Sequence, residues 1–114
     1  MKKILISALA LSALSSSAYA GCVASGCNGL ITKLYMTAGG TLYVSTDGDE
    51  KALNCAAGAG NGGVSGKYMS LKEGDIGKNA MYSLLLTSQT TKKPVSIVIQ
   101  QGTTDCRVLY VTTN

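Results

Sequence analysis

Residues 75–100, DIGKNAMYSLLLTSQTTKKPVSIVIQ, change their period halfway along. From Ile76 the positions Ile76, Ala80, Met81, Leu84, Leu85 and Ser88 recur at three- and four-residue spacing, which predicts an amphipathic helix. Asp75 stands where a carboxylate N-cap meets the unsatisfied amides of the first turn. Lys92 and Lys93 suit the negative end of the helix dipole, with contact to an anionic partner as the competing reading. Pro94 closes the helix. Beyond it Val95, Ile97 and Ile99 alternate with Ser96, Val98 and Gln100, the two-residue period of a strand covered on both faces. A single helix feeding a buried strand, with strand-like sequence on either side, sets the class as mostly β with one helix.

Upstream, residues 30–37 alternate, with Leu30, Thr32, Leu34 and Met36 facing inward and Ile31, Lys33, Tyr35 and Thr37 on a mixed outer face. Ala38-Gly39-Gly40 is a hairpin signal. Residues 41–46 return, with Leu42 and Val44 on one face and Tyr43 and Ser45 on the other. Residues 47–51 form a polar turn, 52–56 a semi-extended piece carrying Cys55, and 58–66 a loop holding five of the fourteen glycines. A short third strand is expected over 67–71. Downstream, 101–105 is a turn and 106–112 a fifth strand with Val108 and Tyr110 facing one way. The order β-β-β-α-β-β is that of an OB-fold, a small five-stranded Greek-key barrel. An open α+β sheet satisfies the same order.

The chain ends refine the arithmetic. Residues 1–20 have the form of a cleaved export signal: Lys2 and Lys3, an apolar run from Ile4 to Leu14, then Ala18-Tyr19-Ala20 before the expected cut. The apolar run is shorter than the roughly 20 residues a membrane span requires. Ala20-Gly21-Cys22 also partly matches a bacterial lipoprotein box, with Tyr19 where that box prefers Leu. Removing the signal from 114 residues leaves 94, residues 21–114, enough for one domain, with eight basic against six acidic side chains. So mild a charge does not call for nucleic acid or an anionic membrane as partner. The expected location is the periplasm or the exterior.

Cys22, Cys27, Cys55 and Cys106 form an even set in an oxidising compartment, so two disulfides are expected. Four cysteines allow three connectivities; the preferred one joins Cys22 to Cys27 as a local staple, with the small, polar residues 23–29 read as a stapled N-terminal loop, and Cys55 to Cys106 as the long crosslink. With no C-x-x-C pair and no His, zinc and thioredoxin-type chemistry find no ligands.

The chain also lacks His, Trp and Phe altogether. Ser-His-Asp and Cys-His catalytic units and a His base are excluded, and no constellation of acids, Tyr or Lys replaces them. The expectation is a non-enzymatic protein without cofactor or metal. Gly58-Ala59-Gly60-Asn61-Gly62-Gly63 matches a dinucleotide fingerprint letter for letter, but the strand before and the helix after it are missing, leaving a glycine loop. Asp47, Asp49 and Glu50 resemble the start of a calcium loop without its later Glu, so a solvated turn is preferred, with weak calcium binding as the alternative. Of the five tyrosines after the signal, Tyr43 and Tyr68, with Ser45 beside them, are the candidate ligand contacts, because OB-folds bind over the face of strands 2 and 3.

On these features, and on residues 81–86 (MYSLLL) and 93–100 (KPVSIVIQ) above all, the chain resembles the OB-fold B subunits of bacterial AB5 toxins, the subtilase-cytotoxin and pertussis-like group, and a set of small secreted proteins of Gram-negative bacteria. The resemblance implies a ring-shaped homopentamer that binds host glycans. No binding residue carries over position by position. The first expectation is therefore a secreted glycan-binding module; the second is a periplasmic accessory protein that contacts another protein through a strand edge or a Tyr-rich face.

Overall fold

A computed structural model describes residues 21–55, 68–103 and 105–113. The expected signal, the glycine loop with its fingerprint match, and Lys67 at the head of the third strand lie outside the described residues. The rest is mostly β with one helix: β1 Gly21–Val23, β2 Gly26–Gly29, β3 Ile31–Met36, β4 Leu42–Thr46, a 3-10 turn Glu50–Ala52, β5 Met69–Leu71, α1 Lys78–Thr91, β6 Val95–Ile99 and β7 Val108–Thr113. The described strands number seven rather than five. They fall into two sheets, β1-β2-β6-β7 and β3-β4-β5, and not into one closed barrel.

The two extra strands come from a segment expected to be loop. Residues 21–29 form an antiparallel hairpin in which Cys22 and Cys27 stand opposite each other and are bonded, with Cα atoms 4.0 Å apart. Small residues misled the reading, yet the sheet requires one of them. A Cβ on Gly26 would run into the Ile97 carbonyl oxygen, so only glycine lets β2 lie against β6.

The hairpin joining β3 and β4 is as expected, with Gly40 at φ 91 on the tight return. The facing of β3 is not. A bulge between Ile31 and Lys33 adds one residue, so Ile31 is buried and Leu30 exposed, and Met36 at the end of β3 is exposed as well. Only Leu34 keeps its expected inward side, half-buried against the core. A second bulge opposite Val98 and Ile99 separates Val108 from Tyr110: Val108 is buried and Tyr110 is turned outward beside Leu109. Strict alternation fails wherever an inserted residue resets the phase.

The helix begins later than its pattern suggested. Its N-cap is Gly77, with no side-chain cap bond, and Ile76 lies outside it, 95% exposed. Asp75 is not the cap because it has stronger partners. Its Oδ2 accepts the Lys72 amide at 2.7 Å, and its Oδ1 meets Arg107 Nη1 at 3.0 Å. A charge-assisted pair outweighs a capping bond. Leu85 and Ser88 form the buried part of the helix face; Met81, Tyr82 and Leu84 are half-buried and Ala80 is exposed. Lys92 ends the helix in the left-handed region, its amide bonded to Gln89 and Ser88 carbonyls, as the two-lysine ending led one to expect.

The core is aliphatic. Leu42, Met69, Leu71, Leu85 and Ile97 are no more than 1% exposed and are drawn from both sheets and the helix. The second disulfide, Cys55–Cys106, lies within this core, with its Cα atoms 5.1 Å apart. Beside it the two sheets touch. Ser70 pairs with Arg107 in a parallel bridge, and Ser70 donates its amide to Cys106 O at 3.0 Å and its hydroxyl to Asp105 O at 2.7 Å. Arg107, the chain's only arginine, clamps this seam by pairing with both Asp75 and Asp105.

The loop closed by Cys55–Cys106 spans 51 residues and that of Cys22–Cys27 five. Replacing Cys55 and Cys106 together by Ser is expected to lower unfolding free energy by about 4 kcal/mol, against about 2 kcal/mol for the other pair, as read from urea denaturation. Asp105 adds a pH signature. Partial burial pulls its carboxyl upward, but hydrogen bonds from Lys72 and Arg107 and the charge of Arg107 outweigh this and hold it below the ordinary value. Its contribution is complete above the ordinary carboxylate range, near pH 4, and is lost as pH falls through the depressed folded value. In denaturation curves between pH 6 and pH 2, Asp105→Asn should therefore show a shallower acid loss than the parent.

Candidate functional site

Strand pairing assembles the site from three segments distant in sequence. A hairpin centred on Gly39 places Tyr35 opposite Tyr43, and Tyr43 stands opposite Ser70 on β5. Because side chains alternate, Leu42, Val44, Met69 and Leu71 point into the core and Tyr43 lies on the other face with Tyr35, where Ser70 is covered by the Asp105–Cys106 segment. Tyr68, just before β5, completes the group. The ring centroids of Tyr35 and Tyr43 lie 5.2 Å apart, those of Tyr35 and Tyr68 5.5 Å in an edge-on arrangement, and those of Tyr43 and Tyr68 5.8 Å. These are favourable spacings for aromatic pairs. Tyr35 is the most open of the three at 39% exposure, and the ammonium of Lys33 stands 5.9 Å over its ring.

The expected contacts Tyr43 and Tyr68 are thus brought together. Ser45, expected beside them, is buried, and its hydroxyl shares a 3.0 Å hydrogen bond with Thr32. It shapes the underside of the patch and does not lie on its open surface. Tyr35 and Lys33 were not singled out as contacts, although the Ala38-Gly39-Gly40 hairpin carried the signal: a turn centred at 39 sets 35 against 43. Tyr82 and Tyr110 are elsewhere, on α1 and β7.

The acidic turn does not gather a cation. Asp47 accepts the Leu30 amide, Asp49 accepts the Lys51 amide, and Glu50 folds inward to accept both the amide and the hydroxyl of Thr46, each at 2.7 Å. Among the described residues the one group within ligand range of itself is Cys22, Cys27 and Glu50. Two of its members are disulfide sulfurs with no thiolate to offer, so a lone carboxylate remains and no metal centre is built.

The cluster has an electrostatic consequence. Desolvation among the rings, with the nearness of Tyr68 and Tyr43, raises the phenol pKa of Tyr35 above its ordinary value. A raised pKa on an acid means stability that is present below pH 10 and is lost as pH climbs through the folded value. Ultraviolet titration should show a late-ionising tyrosine, and the Tyr43→Phe, Tyr68→Phe double variant should return it toward its ordinary range.

No family model, no curated protein and no solved structure matches the chain.

Proposed function

We propose that the protein is an exported, non-enzymatic binding module that takes glycans on the outer face of β3, β4 and β5. The observation that carries this reading is the convergence of Tyr35, Tyr43 and Tyr68, three of the five tyrosines after the expected signal. A tyrosine ring offers an apolar face to the C–H side of a sugar and a phenol to its hydroxyls. Lys33 adds a polar contact beside the rings. Both disulfides support export to an oxidising compartment.

The course of the strands supports an OB-like reading of the fold. β2 leads into β3 across the single residue Leu30, so one bent length of chain serves both sheets. β4 and β6 flank that length, and β5 meets the start of β7 in parallel at Ser70 and Arg107. On this reading the tyrosine face corresponds to the second and third barrel strands, the usual OB ligand surface. The resemblance of residues 81–100 to toxin B subunits extends the proposal to ring assembly, in which several weak sites act together.

A second reading has its own observation. The bulge in β7 turns both Leu109 and Tyr110 outward, at 53% and 50% exposure, which favours an accessory protein with a protein partner. A broad glycan array with sedimentation analysis separates the two. The glycan reading expects a bound sugar class and self-association, with Tyr35→Ala and Tyr68→Ala each weakening binding by about five- to tenfold. A monomer silent on the array removes it.

A further inference from the structure

A second site lies away from the tyrosines. A cleft of about 360 Å³ opens between the last turn of α1 and the passage from β2 into β3, at the small end of the roughly 300–1,000 Å³ usual for ligand pockets. Leu30 and Ile31 form its apolar side. Thr32, Asp47, Ser88, Gln89 and Lys92 supply polar groups around it.

Ser88 is the telling residue. It is 4% exposed, yet its hydroxyl makes no hydrogen bond with any described residue. Two neighbours on the same helix show the ordinary resort: Thr90 and Thr91 donate to the carbonyls of Leu86 and Thr87, each at 2.8 Å. Ser88 does not take it. A buried hydroxyl without a partner is costly unless something entering the cleft completes it.

The surrounding charge selects the kind of ligand. Asp47 uses Oδ1 to hold the Leu30 amide, and its other oxygen has no hydrogen bond among the described residues. Lys92 has no ion pair among them either. One positive and one negative group therefore border the cleft, and the carbonyl end of α1 adds partial negative charge. The balance does not favour an anion. It favours a neutral molecule whose groups both donate and accept. The carboxylate, the Gln89 amide and the Ser88 hydroxyl serve such groups, the Thr32 hydroxyl being held by Ser45 and Thr46, and the Leu30–Ile31 wall suits C–H surface.

We infer that this cleft binds one neutral monosaccharide unit, with Ser88 and Gln89 as its discriminating contacts. The inference stands apart from the tyrosine face, and either site can fail without the other.

The test is chemical-shift mapping of the isotope-labelled exported protein with glucose, galactose, mannose and N-acetylglucosamine at millimolar concentration. At least one sugar should move the amides of Ile31, Thr32, Ser88, Gln89 and Lys92 in a saturable way. Ser88→Ala removes a hydroxyl that bonds to no described residue, so its melting temperature should equal or exceed the parent's, while sugar affinity falls about three- to tenfold. Gln89→Ala should weaken the same sugar, and Tyr35→Ala should leave it unchanged. The inference is overturned if no sugar moves the cleft amides, if shifts confine themselves to the tyrosine face, or if Ser88→Ala and Gln89→Ala both bind as the parent does.

Discussion

The Cys55–Cys106 crosslink is the constraint on which the rest of the structure depends. Cys106 precedes β7, where the chain must meet β5 in parallel, and Cys55 follows the 3-10 turn that ends the excursion from β4. Between the cysteines lie β5, the helix and β6, so one covalent bond closes the loop containing three of the nine described elements. Parallel approach of two strands gives no local turn to enforce it. Here the bridge at Ser70 and Arg107 sits immediately beside the bonded Cys106, and Arg107 adds its pairs to Asp75 and Asp105 across the same seam. A domain of this size buries too little surface to stand easily on its core alone, which is why a crosslink at the junction matters more than one at an end.

The core explains the need. It has no Phe or Trp, and none of the five tyrosines is fully buried. Its fully enclosed side chains are Leu, Ile, Val and Met, with the sulfur of Cys106. Each of these removes less apolar surface from water than an aromatic ring would. Two disulfides offset that shortfall by restricting the unfolded chain.

Much of this was legible in the residues. The period change across residues 75–100 gave the helix and β6, the Gly39–Gly40 turn gave the β3–β4 hairpin, and the even cysteine count gave two disulfides, whose pairing the fold selects as the preferred one of three. What escaped had identifiable causes. Hairpin β1–β2 was hidden because its strands are made of small residues, one of them required by the close approach of Ile97. The phases of β3 and β7 were lost at single-residue bulges, which no alternation pattern announces. The helix start was misplaced because Asp75 answers to Arg107, 32 residues away, and a local capping rule cannot see that partner. The tyrosine patch was two-thirds legible: Tyr43 and Tyr68 came from strand order, and Tyr35 required the register to be followed across the turn. Ser88 was readable as a core position but not as a buried hydroxyl lacking a bond, since that depends on which rotamer and which neighbours the fold assigns.

These facts bear on one another. A chain that fully buries none of its tyrosines gives up part of their burial energy, and it gathers three of them on one outward face at contact spacing. Folding alone would favour the reverse placement. The disulfides make the actual placement tolerable, because they supply stability that does not depend on ring burial. A stapled aliphatic core is therefore the structural condition for gathering these tyrosines on an outward face.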